Sequence, residues 1–140
     1  MKKLKKLLVV LLAATLMLSA LPLSASAAKI ENEATPWWNN AQLISCGIRF
    51  DENGFGYADS TVRGKIGTTE ITTTIYVYRV VNGNKQYVAE SHESIQSTSL
   101  FSDCQFAAVS GATYLAEYTF TITKNGVDEV ITKSDTEICP

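Results

Sequence analysis

The sequence predicts an all-β domain of seven antiparallel strands that pack as a two-sheet sandwich. Three observations support this prediction. Apolar residues recur at every second position instead of at helical spacing. Three Asn-Gly dipeptides each lie between two such alternating runs. The runs begin every 11 to 16 residues, which is typical of a small antiparallel sandwich or barrel.

Each predicted strand alternates an apolar or small residue with a polar one. The sixth run is the clearest example, because Tyr114, Ala116, Tyr118, Phe120 and Ile122 all fall on one face. The third run is the richest in β-branched and aromatic residues. The fourth is weaker, and we expect it at the edge of a sheet. The seven runs span residues 41–50, 55–64, 70–81, 86–94, 97–109, 113–123 and 128–138.

The turns between these runs carry the residues that a tight hairpin requires. Both central residues of a type I′ turn have positive φ, which Asn and Gly tolerate best. The sequence therefore predicts two-residue hairpins at Asn53-Gly54, Asn82-Gly83 and Asn125-Gly126.

The start of the sixth run indicates which kind of antiparallel fold the chain adopts. Tyr114 follows the tight corner Ser-Gly-Ala-Thr at residues 110–113, with one strand remaining. This is the position of the tyrosine corner in immunoglobulin-like sandwiches, whose hydroxyl bonds to upstream backbone. The alternative is an ordinary core tyrosine after an ordinary turn. We predict the corner and an immunoglobulin-like fold, without the antibody disulfide because Ala116 stands where the second cysteine would be.

Residues 1–28 have the three parts of a secretory signal peptide. Four lysines precede the apolar run 7–18, and small residues at 24–28 offer cleavage after Ala27 or Ala28. An uncleaved membrane anchor is the alternative, but the apolar run is short for a bilayer. We therefore expect a secreted protein, free or loosely retained at the envelope, with an N-terminal arm at 29–40 and the sandwich domain at 41–140.

The charge of the chain changes once the signal is removed. The whole chain has a formal net charge of −2, whereas residues 29–140 carry 8 basic and 14 acidic side chains. A net negative domain with scattered lysines is a poor partner for nucleic acid or an anionic membrane. We expect neither partner after signal cleavage, and no cofactor.

Four short motifs carry a resemblance to a protein family. They are Pro36 with Trp38, Asn53-Gly54, residues 67–69 (Gly-Thr-Thr) and Tyr78-Arg79. This layout resembles a family of small secreted immunoglobulin-like proteins of unknown function from Gram-positive bacteria. The resemblance implies the fold and an extracellular location, but no activity.

The three cysteines suggest one disulfide and one remaining thiol in a secreted chain. If the first strand runs beside the seventh, a bridge between Cys46 and Cys139 would tie the ends of the domain together, and we favour that pairing. Cys104–Cys139 is the next choice, and the absence of any bridge is a further alternative. Cys46–Cys104 is disfavoured because another strand should separate them. A free Cys139 could instead join two copies.

Candidate catalytic and metal-binding residues are few. His92 lies in a polar stretch. A catalytic set could combine it with Ser91 or Ser94 as nucleophile and Glu117 or Asp103 as acid, but no nucleophile elbow or oxyanion hole accompanies these residues. We expect a solvated edge-strand histidine and predict no catalytic residues. A calcium loop starting at Asp51 lacks two central ligands, at Phe55 and Val62. Loop carboxylates at Asp128 and Glu129 leave a weaker site open.

Trp37 and Trp38 are the most distinctive apolar residues outside the predicted strands. Exposed tryptophans stack on sugar rings or anchor protein partners. The alternative is that one or both cover the open end of the core. The sequence predicts a non-enzymatic extracellular binding module for an unknown protein or glycan. A carbohydrate-binding module that uses Trp37 and Trp38, or an assembly protein that dimerises through cysteine, is the alternative.

Overall fold

A computed structural model describes residues 37–140. The predicted signal peptide at 1–28 and the part of the predicted arm at 29–36 lie outside these residues. The described chain is all-β, as the sequence predicts, with seven strands joined by short turns. The strands are β1 (Ala41–Phe50), β2 (Phe55–Gly64), β3 (Thr68–Val81), β4 (Asn84–Ile95), β5 (Ser99–Ala107), β6 (Thr113–Lys124) and β7 (Val127–Ile138).

The strands form two antiparallel sheets that pack face to face. One sheet has the order β1-β2-β5 and the other has the order β4-β3-β6-β7. This is the predicted immunoglobulin-like sandwich, and β4 lies at an edge as expected. Within residues 37–140 there is no helix long and apolar enough to span a membrane.

The two sheets contribute different side chains to the core. The four-stranded sheet supplies large residues that are fully buried, and the three-stranded sheet supplies mostly small ones. Interior side chains fill space at close to crystal density, so large groups of one layer need small groups opposite. The large residues include Ile71, Ile75, Tyr114, Tyr118, Phe120 and Ile122, and the small ones are Gly56, Ala58, Ser60, Ser102 and Cys104.

Two of the three Asn-Gly dipeptides form the predicted turns. Asn82 and Asn125 both have φ of 52°, and the glycine after each also has a positive φ. The prediction is wrong for the first dipeptide, because Gly54 alone has positive φ there. Four residues connect β1 to β2, and a loop of that length is built around an ordinary turn with one left-handed residue at its end.

Tyr114 forms the predicted tyrosine corner. Its hydroxyl accepts a hydrogen bond of 2.9 Å from the backbone N–H of Val109, five residues upstream. Its ring centroid lies 4.9 Å from that of Phe106 on β5 and 5.8 Å from that of Phe50 on β1. This aromatic cluster closes one end of the sandwich, which we call the apical end. The opposite end, where residues 37–40 lead into β1, is the basal end.

The free edge of β1 is sealed by side chains from the opposite sheet. The carboxylate of Asp135 on β7 accepts a 2.8 Å hydrogen bond from the backbone N–H of Ile48. The hydroxyl of Tyr118 on β6 donates to the carbonyl of Gly47 at 2.9 Å. Burial raises the pKa of Tyr118, so this phenol remains a protonated donor. These contacts satisfy backbone groups that an edge strand otherwise leaves open.

The structure corrects the expected Cys46–Cys139 disulfide, which is not formed. β1 and β7 do run side by side, because Asp135 contacts Ile48. That register places Cys46 about six residues, or roughly 20 Å, from the level of Cys139. A disulfide needs Cα atoms within about 7 Å. Cys104 lies on β5, at the other lateral edge from β7, so it is not placed to reach Cys139 either.

Removing the Tyr114 hydroxyl tests the tyrosine corner. We expect Tyr114→Phe to lower the free energy of unfolding by about 1 kcal/mol, because the Val109 N–H loses its partner. Urea unfolding curves measure the change. Tyr87→Phe, on the exposed outer face, is the matched control and should shift stability by less than about 0.5 kcal/mol. An equal loss in both variants would contradict the corner.

The relative register of β1 and β7 leads to a second prediction, which concerns the cysteines. Peptide mapping of the exported protein under non-reducing conditions should find no fragment that links Cys46 to Cys139, because the strands hold these residues apart. A linked fragment in the folded, monomeric protein would show that β1 or β7 has a different register from the one described here.

Candidate functional site

The residues imagined as a catalytic set do not converge. Nδ1 of His92 lies 2.8 Å from Oγ1 of Thr74 on the neighbouring strand. The hydroxyl of Ser94 donates to Glu70 at 2.8 Å. Both candidate acids are elsewhere: Glu117 pairs with Lys85, and Asp103 belongs to the other sheet. These polar groups bond to cross-strand neighbours, as residues on an exposed sheet face do.

The thiol of Cys104 is buried in the core. Burial, with smaller contributions from Asp103 and Glu90, raises the pKa of the Cys104 thiol. A raised pKa keeps the group protonated, whereas nucleophilic cysteines need a lowered one. Cys139 is buried as well, and its sulfur lies 3.8 Å from the carbonyl of Pro140.

Asp51 is fully engaged in organising the β1–β2 loop. Its Oδ1 accepts hydrogen bonds from the backbone N–H groups of Asn53 and Phe55, both at 2.9 Å. Its Oδ2 accepts from the hydroxyl of Tyr57 at 3.0 Å. The Phe55 bond above all holds the pKa of this carboxyl below its usual value. Among residues 37–140, no group of three or more His, Cys, Asp or Glu is arranged to hold a metal ion.

The residues that lead into β1 are held by one carboxylate. Oε1 of Glu129 accepts a 2.7 Å hydrogen bond from the backbone N–H of Asn39. Oε2 accepts from Asn40 at 2.6 Å and from Ala41 at 3.2 Å. The buried amide of Asn40 also donates to the carbonyls of Ile122 and Val127. The segment that presents the two tryptophans is therefore fixed to the β6–β7 turn.

The two tryptophans at the basal end have different environments. Trp38 is half-buried against the core, with the Lys133 ammonium 5.6 Å from its ring centroid. Its carbonyl accepts a hydrogen bond from Lys65. Trp37 is 100% exposed. Each tryptophan therefore fits a different one of the two alternatives: Trp38 covers the end of the core, and Trp37 is available for contact.

A second exposed aromatic cluster lies on the outer face of the four-stranded sheet. We call it the tyrosine patch, and it consists of Tyr76, Tyr78 and Tyr87. The ring centroids of Tyr76 and Tyr78 are 6.4 Å apart, with an interplanar angle of 28°. Tyr87 is the cross-strand partner of Tyr78 and is 60% exposed. The three phenols thus form one contiguous surface at the apical half of β3 and β4.

A β-bulge places Tyr87 in this patch. The β3–β4 register shifts between Val77, which pairs with Ala89, and Tyr78, which pairs with Tyr87. Val88 is the extra residue, and it packs towards the core with Ala89. Without the bulge, plain alternation would place Tyr87 on the core-facing side with Ala89. The period-two pattern of the sequence therefore did not predict that Tyr87 is on the outer face. Bulges commonly re-aim a side chain in this way.

Charged residues border the patch. Lys85 pairs with Glu117 and its ammonium lies 5.2 Å from the centroid of the Tyr78 ring. Partial desolvation, followed by the charge of Glu90, raises the pKa of Tyr87, so its hydroxyl stays a hydrogen-bond donor at neutral pH. The patch therefore combines aromatic surface and hydrogen-bond donors with one positive charge, from Lys85, and two negative ones, from Glu90 and Glu117.

Comparisons with known proteins show likeness of fold at low similarity. No family model and no curated protein matches this chain. A β-glucuronidase of Parabacteroides merdae matches with a TM-score of 0.44 and 12% identity over 71% of this chain, which corresponds to 13% of that protein. CsgH of R. palustris matches with a TM-score of 0.39 and 9% identity, over 69% of this chain and 92% of that one. A protein from Archaeoglobus fulgidus has a TM-score of 0.35. Such distant likeness carries no activity with it.

The Glu129 contact predicts a specific acid sensitivity. Burial opposes the ionised carboxyl, but the N–H donors of residues 39–41 outweigh burial and lower its pKa. A lowered pKa contributes stability that is present above the unfolded-state pKa of about 4.3 and is lost as the pH falls through the lower folded-state value. Glu129→Gln should cost about 1–2 kcal/mol at pH 7, with a smaller difference from the parent in acid.

Urea unfolding of the parent and the variant between about pH 7 and pH 3 measures this difference. Glu137→Gln, at the exposed end of the same strand, is the matched control and should be close to neutral. Parent and Glu129→Gln curves that remain parallel over the whole pH range would contradict the role of the ionised carboxylate.

Proposed function

We propose that this protein is an exported, non-enzymatic module that binds a partner at the cell surface or in the extracellular space through the tyrosine patch. The observation that carries the proposal is the bulge at Val88, which turns Tyr87 out of the core-facing series to join Tyr76 and Tyr78. Turning a large aromatic residue to solvent gives up burial that would stabilise the fold. Binding is the physical use for which such a surface is suited.

The chemistry of the patch supports a protein partner. Tyrosine supplies a large, rigid contact area at low conformational cost, together with a hydroxyl that donates and accepts. Contact energy in protein interfaces concentrates at such aromatic residues. Lys85 and Glu117 provide charges of both signs at the border, which favour orientation of a polar partner.

The secretory signal that the sequence predicts at residues 1–28 supports the extracellular location. The placement of polar residues supports a non-enzymatic role. His92, Ser94 and Glu117 each bond to a different neighbour, which is Thr74, Glu70 and Lys85 respectively. Catalysis requires reacting groups in mutual contact with a bound substrate.

The carbohydrate alternative rests on Trp37, whose ring is fully exposed, and no longer on Trp38. Its test is binding to a glycan array, which Trp37→Ala should abolish. The assembly alternative requires Cys139 to leave its buried position before it joins another chain. A dimer that persists on a non-reducing gel and disappears on reduction would favour it.

Substitution within the patch tests the proposal. Labelled protein is titrated onto intact cells of the producing organism and onto their isolated envelopes. We expect Tyr87→Ser to weaken binding by at least about tenfold, and Tyr76→Ser to act in the same direction. Phe101→Ser is the matched control, because Phe101 is also 60% exposed but lies on the other sheet.

Two outcomes would refute the role of the patch. The first is saturable binding that Tyr87→Ser leaves unchanged. The second is an equal loss of binding in Tyr87→Ser and Phe101→Ser, which would indicate nonspecific adsorption through exposed aromatic residues. Unfolding curves for each variant separate loss of binding from loss of fold.

A further inference from the structure

The core of the sandwich contains three hydroxyl groups that no other protein group satisfies. Ser60 on β2, Ser102 on β5 and Thr73 on β3 are each at most 2% exposed. Their hydroxyl oxygens belong to the four buried side-chain oxygens of residues 37–140 that have no hydrogen-bond partner in the protein. Burial of an unpaired hydroxyl is unfavourable, and buried polar groups of native proteins are almost always paired. The three hydroxyls therefore need a partner from outside the chain.

Strand pairing places the two serines side by side. Ser60 and Ser102 are direct cross-strand partners, and both side chains are buried between the sheets. The Cβ atoms of such partners lie about 5 Å apart. The next inward-facing residues along β2 and β5 are uncharged and bring no hydroxyl; they are Ala58, Val62, Leu100 and Cys104.

Thr73 lies opposite this pair, on the other sheet. β3 packs across β2 and β5. At the basal end, the side chain of Thr68 on β3 lies directly against Gly64 on β2. Four residues back along β2 from Gly64 is Ser60, and five residues along β3 from Thr68 is Thr73. The irregularity between Thr68 and Glu70 takes up the extra residue, so the hydroxyls are at the same level of the sandwich.

A second contact between the sheets agrees with this level. Tyr118 lies on β6, one row of strand partners nearer the apical end than Thr73. Its hydroxyl donates to the carbonyl of Gly47, and Gly47 is the β1 partner of Asp59. Asp59 directly precedes Ser60, so this contact also brings Thr73 to within about one residue of the level of the serines.

The space between these hydroxyls matches one water molecule. Packed sheets are about 10 Å apart, and serine and threonine are short, so about 5 Å separates the oxygens of the two sheets. That distance is too long for a direct hydrogen bond and is about two hydrogen-bond lengths. Buried waters make about three hydrogen bonds to groups that the protein leaves unpaired, and three hydroxyls are present here.

We infer that Ser60, Ser102 and Thr73 form a binding site for one internal water molecule that bridges the two sheets. Each hydroxyl both donates and accepts, as water does, so the four groups satisfy one another without a charge. A cation is a poorer occupant, because it selects carboxylate and carbonyl ligands. Glu93, the β4 partner of Thr73, is partly exposed at the lateral edge of the sandwich. The water joins the sheets where these three side chains are too short to meet.

A crystal structure of the exported protein tests the site directly. We expect electron density for one water whose oxygen lies within about 3.2 Å of the three hydroxyl oxygens. A map without this water, or one in which the three hydroxyls bond directly to one another, overturns the inference.

Replacement of one hydroxyl by a methyl group tests the site in solution. Thr73→Val keeps the shape of the side chain. Removal of a hydroxyl that has no partner raises stability, whereas removal of a water-bridged one lowers it. We therefore expect Thr73→Val to lower the folding equilibrium constant about fivefold in urea unfolding. Thr119→Val, exposed on the outer face of β6, is the matched control and should change the constant by less than about twofold.

An unchanged or raised folding constant in Thr73→Val overturns the inference. Oxygen-17 relaxation dispersion, which counts long-lived internal waters, gives a readout that is independent of stability. The double variant Ser102→Ala with Thr73→Val leaves the water a single partner, so it should hold one such water fewer than the parent. An equal count in the parent and the folded double variant contradicts the site.

Discussion

Contact between the sheets at Tyr114 is the constraint on which the rest of the sandwich depends. Its ring packs against Phe50 and Phe106 of the three-stranded sheet, and its hydroxyl fixes the backbone at Val109. Within the three-stranded sheet the Phe106 ring lies over its cross-strand partner Gly56, where only glycine fits, since a Cβ there would lie 2.3 Å from that ring. The spacing of the two sheets, and so the position of every surface on them, follows from this packing.

The same frame leaves two surfaces that the core does not use. At the apical half of the four-stranded sheet, the Val88 bulge adds Tyr87 to a row of phenols. At the basal end, the carboxylate of Glu129 fixes the segment that carries Trp37. Each surface carries at least one exposed aromatic side chain, supported by a rigid strand or by hydrogen-bonded backbone. Such preorganisation lowers the entropic cost of binding.

Period-two alternation was sufficient to predict the strands, and the Ser-Gly-Ala-Thr corner was sufficient to predict the role of Tyr114. These features are local, so sequence neighbours determine them. The tyrosine patch was missed because a one-residue bulge reverses the face of Tyr87, and the bulge depends on pairing with β3. The Cys46–Cys139 pairing was wrong because adjacency of β1 and β7 was inferred without their relative register. Exposure of Trp37 and burial of Trp38 likewise depend on Glu129, which lies about ninety residues away.

The central claim is that the tyrosine patch contacts a partner outside the cell, and photo-crosslinking tests it most directly. A photoreactive phenylalanine analogue is placed at position 87 or at position 101 of the protein, which is then exported by its own cells and illuminated. The account predicts a discrete crosslinked species for position 87 and none for position 101. No crosslinked species at position 87, or the same species from both positions, would contradict it.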